Sequence, residues 1–215
     1  MSFVYYPSCN FQKFFPETAK RIRAYLSQRP EVTIAGCCHR TAQIPVEGDT
    51  ILTVCRSCMR TLSETRADIP NKSLFEYLLD LEDFSWPDLG GENITVQDCF
   101  RARGDHGLQD AVRECLLRMN AVPVEMPNNR DEEMFDGAFL FHEPYPQNMQ
   151  EAPKYFRDYL KDYIIIVPEE EWESRFREHA RGFTTKRVVG YCNTCVKSLR
   201  DVGVDCVHLA ELIFG

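Results

Sequence analysis

Two stretches of the chain spell one pattern. "TILTVCRSCMRTL" (50–62) and "RVVGYCNTCVKSL" (187–199) each carry an apolar, strand-like run into a Cys-x-x-Cys and then into apolar residues at helical spacing. The elements around them recur in the same order. Ahead of the first copy, "FVYYPSC" reads as a strand ending at Cys9, "PETAKRIRAYLSQ" as a helix and "VTIAGCC" as a second strand; behind it "SLFEYLLDLE" is amphipathic. Ahead of the second copy, "ITVQDC" ends at Cys99, "LQDAVRECLLRMN" matches the helix and "VPVEMP" the second strand; "VHLAELIFG" follows. Strands alternating with helices build parallel sheets, whose loops at the carboxyl ends of the strands gather on one edge. The expected fold is α/β: two tandem pseudo-repeated β-α units with small parallel sheets and cysteines at the C-terminal strand ends.

The repeats are placed at 1–85 and 94–215, joined by a linker at 86–93 within the Pro- and Gly-punctuated "FSWPDLGGEN". The offset between copies grows from 90 residues at Cys9 and Cys99 to 137 at Cys55 and Cys192, so the second repeat carries about 47 additional residues, at about 138–185. This insertion reads as a Pro-rich loop, a strand at 163–167 and an acidic-fronted helix from about Pro168. A lid, a partner surface and an inert insertion are all compatible with it.

A formal charge of −8 argues against phosphate-backbone binding, which needs clustered Lys and Arg. The longest apolar runs, such as "YIIIV" at 163–167, are far too short to span a bilayer, and the first residues lack the basic and apolar regions of a secretory signal. The expected location is therefore cytoplasmic, without nucleic acid and without a direct membrane span. Ten cysteines in a compartment that keeps thiols reduced point to metal ligation or redox chemistry rather than to disulfides. Cys115 and Cys206 read as small buried hydrophobes.

Five sulfurs fall in the first repeat: Cys9, the adjacent pair Cys37 and Cys38, Cys55 and Cys58. A structural zinc site closes with four ligands, so a fifth sulfur and an adjacent pair are surplus to it. Iron–sulfur clusters take several thiolates and can use neighbouring ones on different irons. Cys55 and Cys192 lie where a helix begins, and there the backbone N–H groups and the helix dipole favour thiolate.

The order Cys…Cys-Cys…Cys-x-x-Cys, occurring in tandem over nearly the whole chain, resembles the cysteine-rich CCG-domain family, best known from heterodisulfide reductase. The resemblance implies a non-cubane 4Fe-4S cluster held by Cys9, Cys37, Cys38, Cys55 and Cys58, in an iron–sulfur oxidoreductase or electron-transfer subunit acting on a disulfide or thiol substrate. His39 stands where the family has glycine after the pair, with Gly36 before it. In the second repeat Phe135 and Asp136 fall where the pair would be, which leaves Cys99, Cys192 and Cys195. That set is too small for five-thiolate ligation; zinc with a fourth ligand, Asp136 or His106, and an empty site are the alternatives, each of those two residues also reading as a solvated loop residue.

His39 has two readings, a proton donor beside the doublet or a polar cap on a following helix. His142 and His208 read as surface or structural histidines, Tyr5, Tyr6, Phe14 and Phe15 as core, and "PEEEWE" as the first turn of a solvated helix. No Gly-x-Gly-x-x-Gly turn is present, so electrons would come from another redox subunit, a flavin or ferredoxin-like donor. Two other functions compete: a non-catalytic zinc-binding structural or interaction protein, and a metal-free dithiol at Cys55/Cys58 or Cys192/Cys195.

Overall fold

The structure, a computed structural model, describes residues 2–39 and 45–215. In the first repeat the strands are β1 (Ser2–Tyr6), β2 (Val32–Ile34), β3 (Asp49–Thr53) and β4 (Asn71–Ser73), in the order β2-β1-β3-β4. Every pairing is parallel, with Tyr5 opposite both Ile34 and Leu52. The helices are α1 (Cys9–Phe14), α2 (Pro16–Leu26), α3 (Arg56–Thr65) and α4 (Leu74–Leu79). Pro16 opens α2, where its missing N–H costs nothing, and Ile22 and Leu26 bury its inner face. Four of five residues are buried in both β1 and β3, as the central strands of a parallel sheet require.

The second repeat restates this architecture. It runs β5 (Asn93–Gln97), α5 (His106–Arg118), β6 (Val122–Glu125), α6 (Pro146–Glu151), α7 (Glu169–Ala180), β7 (Arg187–Gly190), α8 (Asn193–Asp201), β8 (Cys206–His208) and α9 (Leu209–Phe214). The strand order is β6-β5-β7-β8, again all parallel. The last strand and helix of each repeat even share a cap. The Ser73 and His208 N–H groups donate to Glu76 and Glu211, while Ser73 Oγ and His208 Nδ1 accept helix N–H groups in return. His208 is thus a fully buried structural histidine.

The chain divides into two compact units, 1–77 with 144–163 and Phe214, and 78–143 with 164–213 and Gly215. Residues 144–163, the first half of the inserted stretch beyond Glu143, belong to the first unit and lean on α3. Glu64 accepts the N–H groups of Lys154 and Tyr155 at 3.0 and 2.6 Å, and Arg60 lies 4.7 Å over the Tyr155 ring. Among the described residues no helix is long and apolar enough to cross a membrane.

Four expectations are corrected. The strands stop at Tyr6, Ile34, Thr53, Gln97 and Gly190, two or three residues short of the cysteines read as ending them, so the cysteines lie just beyond the C-terminal strand ends. Residues 163–167 form no strand: Ile165 and Val167 donate to the carbonyls of Leu140 and Phe141, in a 3-10 turn that offers no strand edge, and Ile165 and Ile166 face solvent. β4 and β8 were not expected, because three-residue strands running straight into helices leave only a helical spacing to read. Phe14 is exposed, while Tyr5, Tyr6 and Phe15 are core. The helix expected from Pro168 is present as α7, with Glu169, Glu170 and Glu171 in its first turn.

Candidate metal centres

Each sheet delivers a Cys-x-x-Cys to its carboxyl edge in one conformation. Cys55 caps α3 with φ −120° and ψ 130°, and Cys192 caps α8 with φ −124° and ψ 126°. The second sulfur, Cys58 or Cys195, sits in the first turn and returns toward the cap. The strand register places Tyr6 opposite Thr53 and Gln97 opposite Gly190, so Ser8 and not Cys9 is the counterpart of Cys99. That one-residue shift changes what each copy offers. Ser8 caps α1 from a positive φ of 59° and Cys9 is exposed, whereas Cys99 is fully buried and begins a 3-10 turn, Phe100–Ala102.

In the second repeat, Cys99, Asp136, Cys192 and Cys195 bring one ligand atom each to within 4.8 Å of all the others, and all four residues are buried. Asp136 Oδ1 lies 3.3, 3.6 and 3.9 Å from the sulfurs of Cys99, Cys192 and Cys195. This set can bind a metal ion. His106 is not part of it: it is exposed and pairs with Asp131 at 2.8 Å. Of the two fourth-ligand candidates, the fold brings Asp136 to the sulfurs.

Gly137 makes that placement possible. Its φ is +57°, and a Cβ there would stand 2.5 Å from Ser198 Oγ and 2.6 Å from the Thr194 carbonyl, so only glycine lets the loop lie on α8. The neighbouring residues lock the loop. The Phe135 carbonyl accepts the Phe100 N–H at 3.0 Å, and the Phe135 ring stacks on His179 at 4.0 Å. Burial drives His179 down to about 4, so it stays neutral at physiological pH, and it hydrogen-bonds Gln97 at 2.6 Å.

Arg101 carried no signal in the sequence. Its guanidinium is buried and grips both oxygens of Asp136, while Nη2 reaches Cys192 Sγ at 3.1 Å. Burial pushes the Asp136 carboxyl up to about 7 against the pull of Arg101. Burial also opposes charge on Cys192, yet hydrogen bonds from Cys195 and Cys99 and the Arg101 cation hold that thiol well below its usual range. Burial raises Cys99 and Cys195. A cation bound here would displace the remaining thiol protons to solvent.

Behind Cys99 runs a second network. Asp98 accepts Arg113 at 2.6 and 3.0 Å, Tyr191 Oη–H at 2.8 Å and the Arg130 N–H at 2.8 Å, and Tyr191 Oη in turn accepts the Cys99 N–H at 3.3 Å. Nearby, burial raises Glu133 to about 7, although the Phe135 N–H donates to it at 2.7 Å. In the unfolded chain this carboxyl titrates in the ordinary range, so the folded state binds the proton more tightly. The stabilisation is complete below the unfolded value and is lost as pH rises through about 7. Glu133→Gln is expected to remove a pH-dependent loss of about 3 kcal/mol, read as a smaller drop in the urea midpoint between about pH 5 and about pH 8. An unchanged drop would contradict this assignment.

In the first repeat Cys38 Sγ lies 3.4 Å from Cys58 Sγ, with Cys55 beside Cys58 and Cys9 and Cys37 beside the doublet, but among the described residues these five sulfurs do not close into a set as compact as that of the second repeat. The hydrogen bond between Cys38 and Cys58 lowers the Cys38 thiol and raises Cys58. Partial desolvation and a hydrogen bond to Cys37 push the otherwise exposed Cys9 up to about 11. Cys38 packs on the cluster of Val4, Tyr6, Ala35, Ile51, Leu62 and Ile69, which ties the doublet to the sheet. Tyr5 is fully buried, and burial, with Cys58 and Cys55 nearby, raises its hydroxyl well above the usual range. His39 Nδ1 bonds Glu151 of α6 at 2.5 Å, and that bond holds the Glu151 carboxyl below its usual range despite partial burial. The reading of His39 as a helix cap concerns residues 40–44, outside the described residues. Cys115 and Cys206 are buried away from both sets in the helix and strand interior, with burial raising Cys206 to about 12.

No protein-family model matches the chain, and no curated protein matches it either.

Proposed function

We propose that this protein is an iron–sulfur electron-transfer subunit of an oxidoreductase, similar to the CCG-domain subunit of heterodisulfide reductase, with a 4Fe-4S cluster in the first repeat and a single zinc ion in the second. The observation that carries the reading is that Cys9, Cys37, Cys38, Cys55 and Cys58 come together at one sheet edge, with Cys38 Sγ 3.4 Å from Cys58 Sγ. Five neighbouring sulfurs exceed what one four-coordinate ion takes, and their looser arrangement than in the second repeat suits a group that accepts thiolates on several metal atoms. When bound, such a cluster supplies one-electron transfer and an iron position open to a substrate sulfur.

The chain's own residues supply the rest. The hydrogen bond with Cys58 lowers the Cys38 thiol, Tyr5 is buried, and the partly exposed Cys37 and exposed Cys9 leave an outer side that a substrate can reach. His39 follows the doublet and is held through Nδ1 by Glu151, and in this reading its role is to hand a proton to a sulfur bound there. Electrons come from a partner with a flavin or ferredoxin-like centre. In the second repeat the compact three-sulfur, one-carboxylate set favours zinc and a structural role.

Anaerobic purification followed by metal analysis tests the proposal. About four iron, about four sulfide and about one zinc per chain are expected, with a broad visible absorbance that bleaches on reduction. A colourless protein holding zinc alone would instead make it a non-catalytic zinc protein.

A further inference from the structure

We propose that Arg101 is the positioning residue of the second metal centre, holding Asp136 as a one-oxygen ligand and thereby completing a four-coordinate site that three cysteines alone leave open. The inference rests on the metal reading of that site and concerns how this chain builds it.

The geometry is specific. Arg101 Nε lies 2.8 Å from Asp136 Oδ2 and 3.0 Å from Oδ1, and Nη2 lies 2.7 Å from Oδ1. The guanidinium is itself fixed: Nη2 donates to Thr194 Oγ1 at 2.8 Å, and the Phe139 ring lies 4.0 Å beneath Cζ. Held this way, Asp136 turns Oδ1 toward the three sulfurs, at 3.3, 3.6 and 3.9 Å. A tetrahedral ion with zinc-like bond lengths sets its sulfur and oxygen ligands about 3.6 Å apart, and the three observed sulfur–oxygen edges lie around that value. A multi-iron core does not fit among ligand atoms all within 4.8 Å of one another.

Charge supports the same role. Three thiolates and a carboxylate outweigh a divalent cation, and the buried guanidinium offsets part of the excess in a site closed to water. Lysine keeps the charge but lacks the planar fork that grips both oxygens. A bare ion pair between Arg101 and Asp136 would explain the contact between them, but not the approach of three sulfurs to one oxygen.

Cobalt(II) titration of the purified chain tests this, with Cys99→Ser/Cys192→Ser/Cys195→Ser as the blank for cobalt bound elsewhere. The wild type is expected to show tetrahedral d–d bands with thiolate charge transfer. Arg101→Lys and Arg101→Gln are expected to lose roughly 10–100-fold in affinity, with shifted d–d bands and unchanged circular dichroism. In the Arg101→Gln background, Asp136→Cys supplies a fourth thiolate that needs no clamp, and tight binding should return with a four-sulfur spectrum. Wild-type affinity and spectrum in Arg101→Gln, or a folded double variant that does not recover, would overturn the role of Arg101 alone. Failure of the wild type to bind cobalt above the blank would overturn the metal centre itself.

Discussion

Replacing Arg113 with methionine is expected to destabilise the protein by about 3–5 kcal/mol, because it strands the buried Asp98 carboxylate. The Asp98 side chain has no exposure, and both Nη atoms of Arg113 reach it, at 3.0 and 2.6 Å. Tyr191 and the Arg130 N–H also donate to Asp98, but neither brings a charge. Asp98 is the residue before Cys99, and Tyr191 links the two, so the loss is expected to reach the metal centre as well as the fold. Urea unfolding of the single variant and of Asp98→Asn/Arg113→Met separates the two contributions. The double variant should recover most of the stability, since no uncompensated charge remains. A single variant within about 1 kcal/mol of wild type would show that the pair does not carry this part of the structure.

Gly137→Ala carries the second large effect. A left-handed alanine costs about 1–2 kcal/mol, and forcing its Cβ against Ser198 Oγ and the Thr194 carbonyl adds about 1–3 kcal/mol. The backbone oxygen belongs to α8 and cannot yield cheaply, so the strained part is the loop. It is expected to lift from the helix and carry Asp136 away from Cys99, Cys192 and Cys195. Zinc content and thermal unfolding measured on one preparation check this. Loss of the ion together with a lower Tm is expected, and full zinc occupancy at an unchanged Tm would contradict it.

The sequence made the architecture legible because duplication repeats every cue. Two weak strand signals in one order, each followed by Cys-x-x-Cys and a helix, constrain one another, and the two sheets share one strand order. Strand ends extend too far in the sequence pattern because apolar residues continue past the last ladder bond, as at Val54 and Tyr191, whose side chains stay buried in the turn to the helix. The 163–167 run misleads for the opposite reason: Ile165 and Ile166 are apolar yet exposed.

At the sites, cysteine identity is readable and its partners are not. Asp136 carries a usable signal, an acidic residue before a glycine at the position of the missing pair. Arg101 carries none, since its meaning depends on a carboxylate 35 residues away and a helix start beyond Cys192. The shift between Cys9 and Cys99 is equally hidden, because cysteine-to-cysteine alignment obscures the strand register that makes Ser8 the true counterpart.

Metal analysis of two single variants bears most directly on the claim that the sheet edges build two separate centres. Cys37→Ser is expected to lose iron and sulfide while retaining zinc, and Cys192→Ser to lose zinc while retaining iron and sulfide. If neither substitution changes the metal content, or if the wild type binds no metal when prepared without oxygen, the sulfurs are not ligands and the account fails.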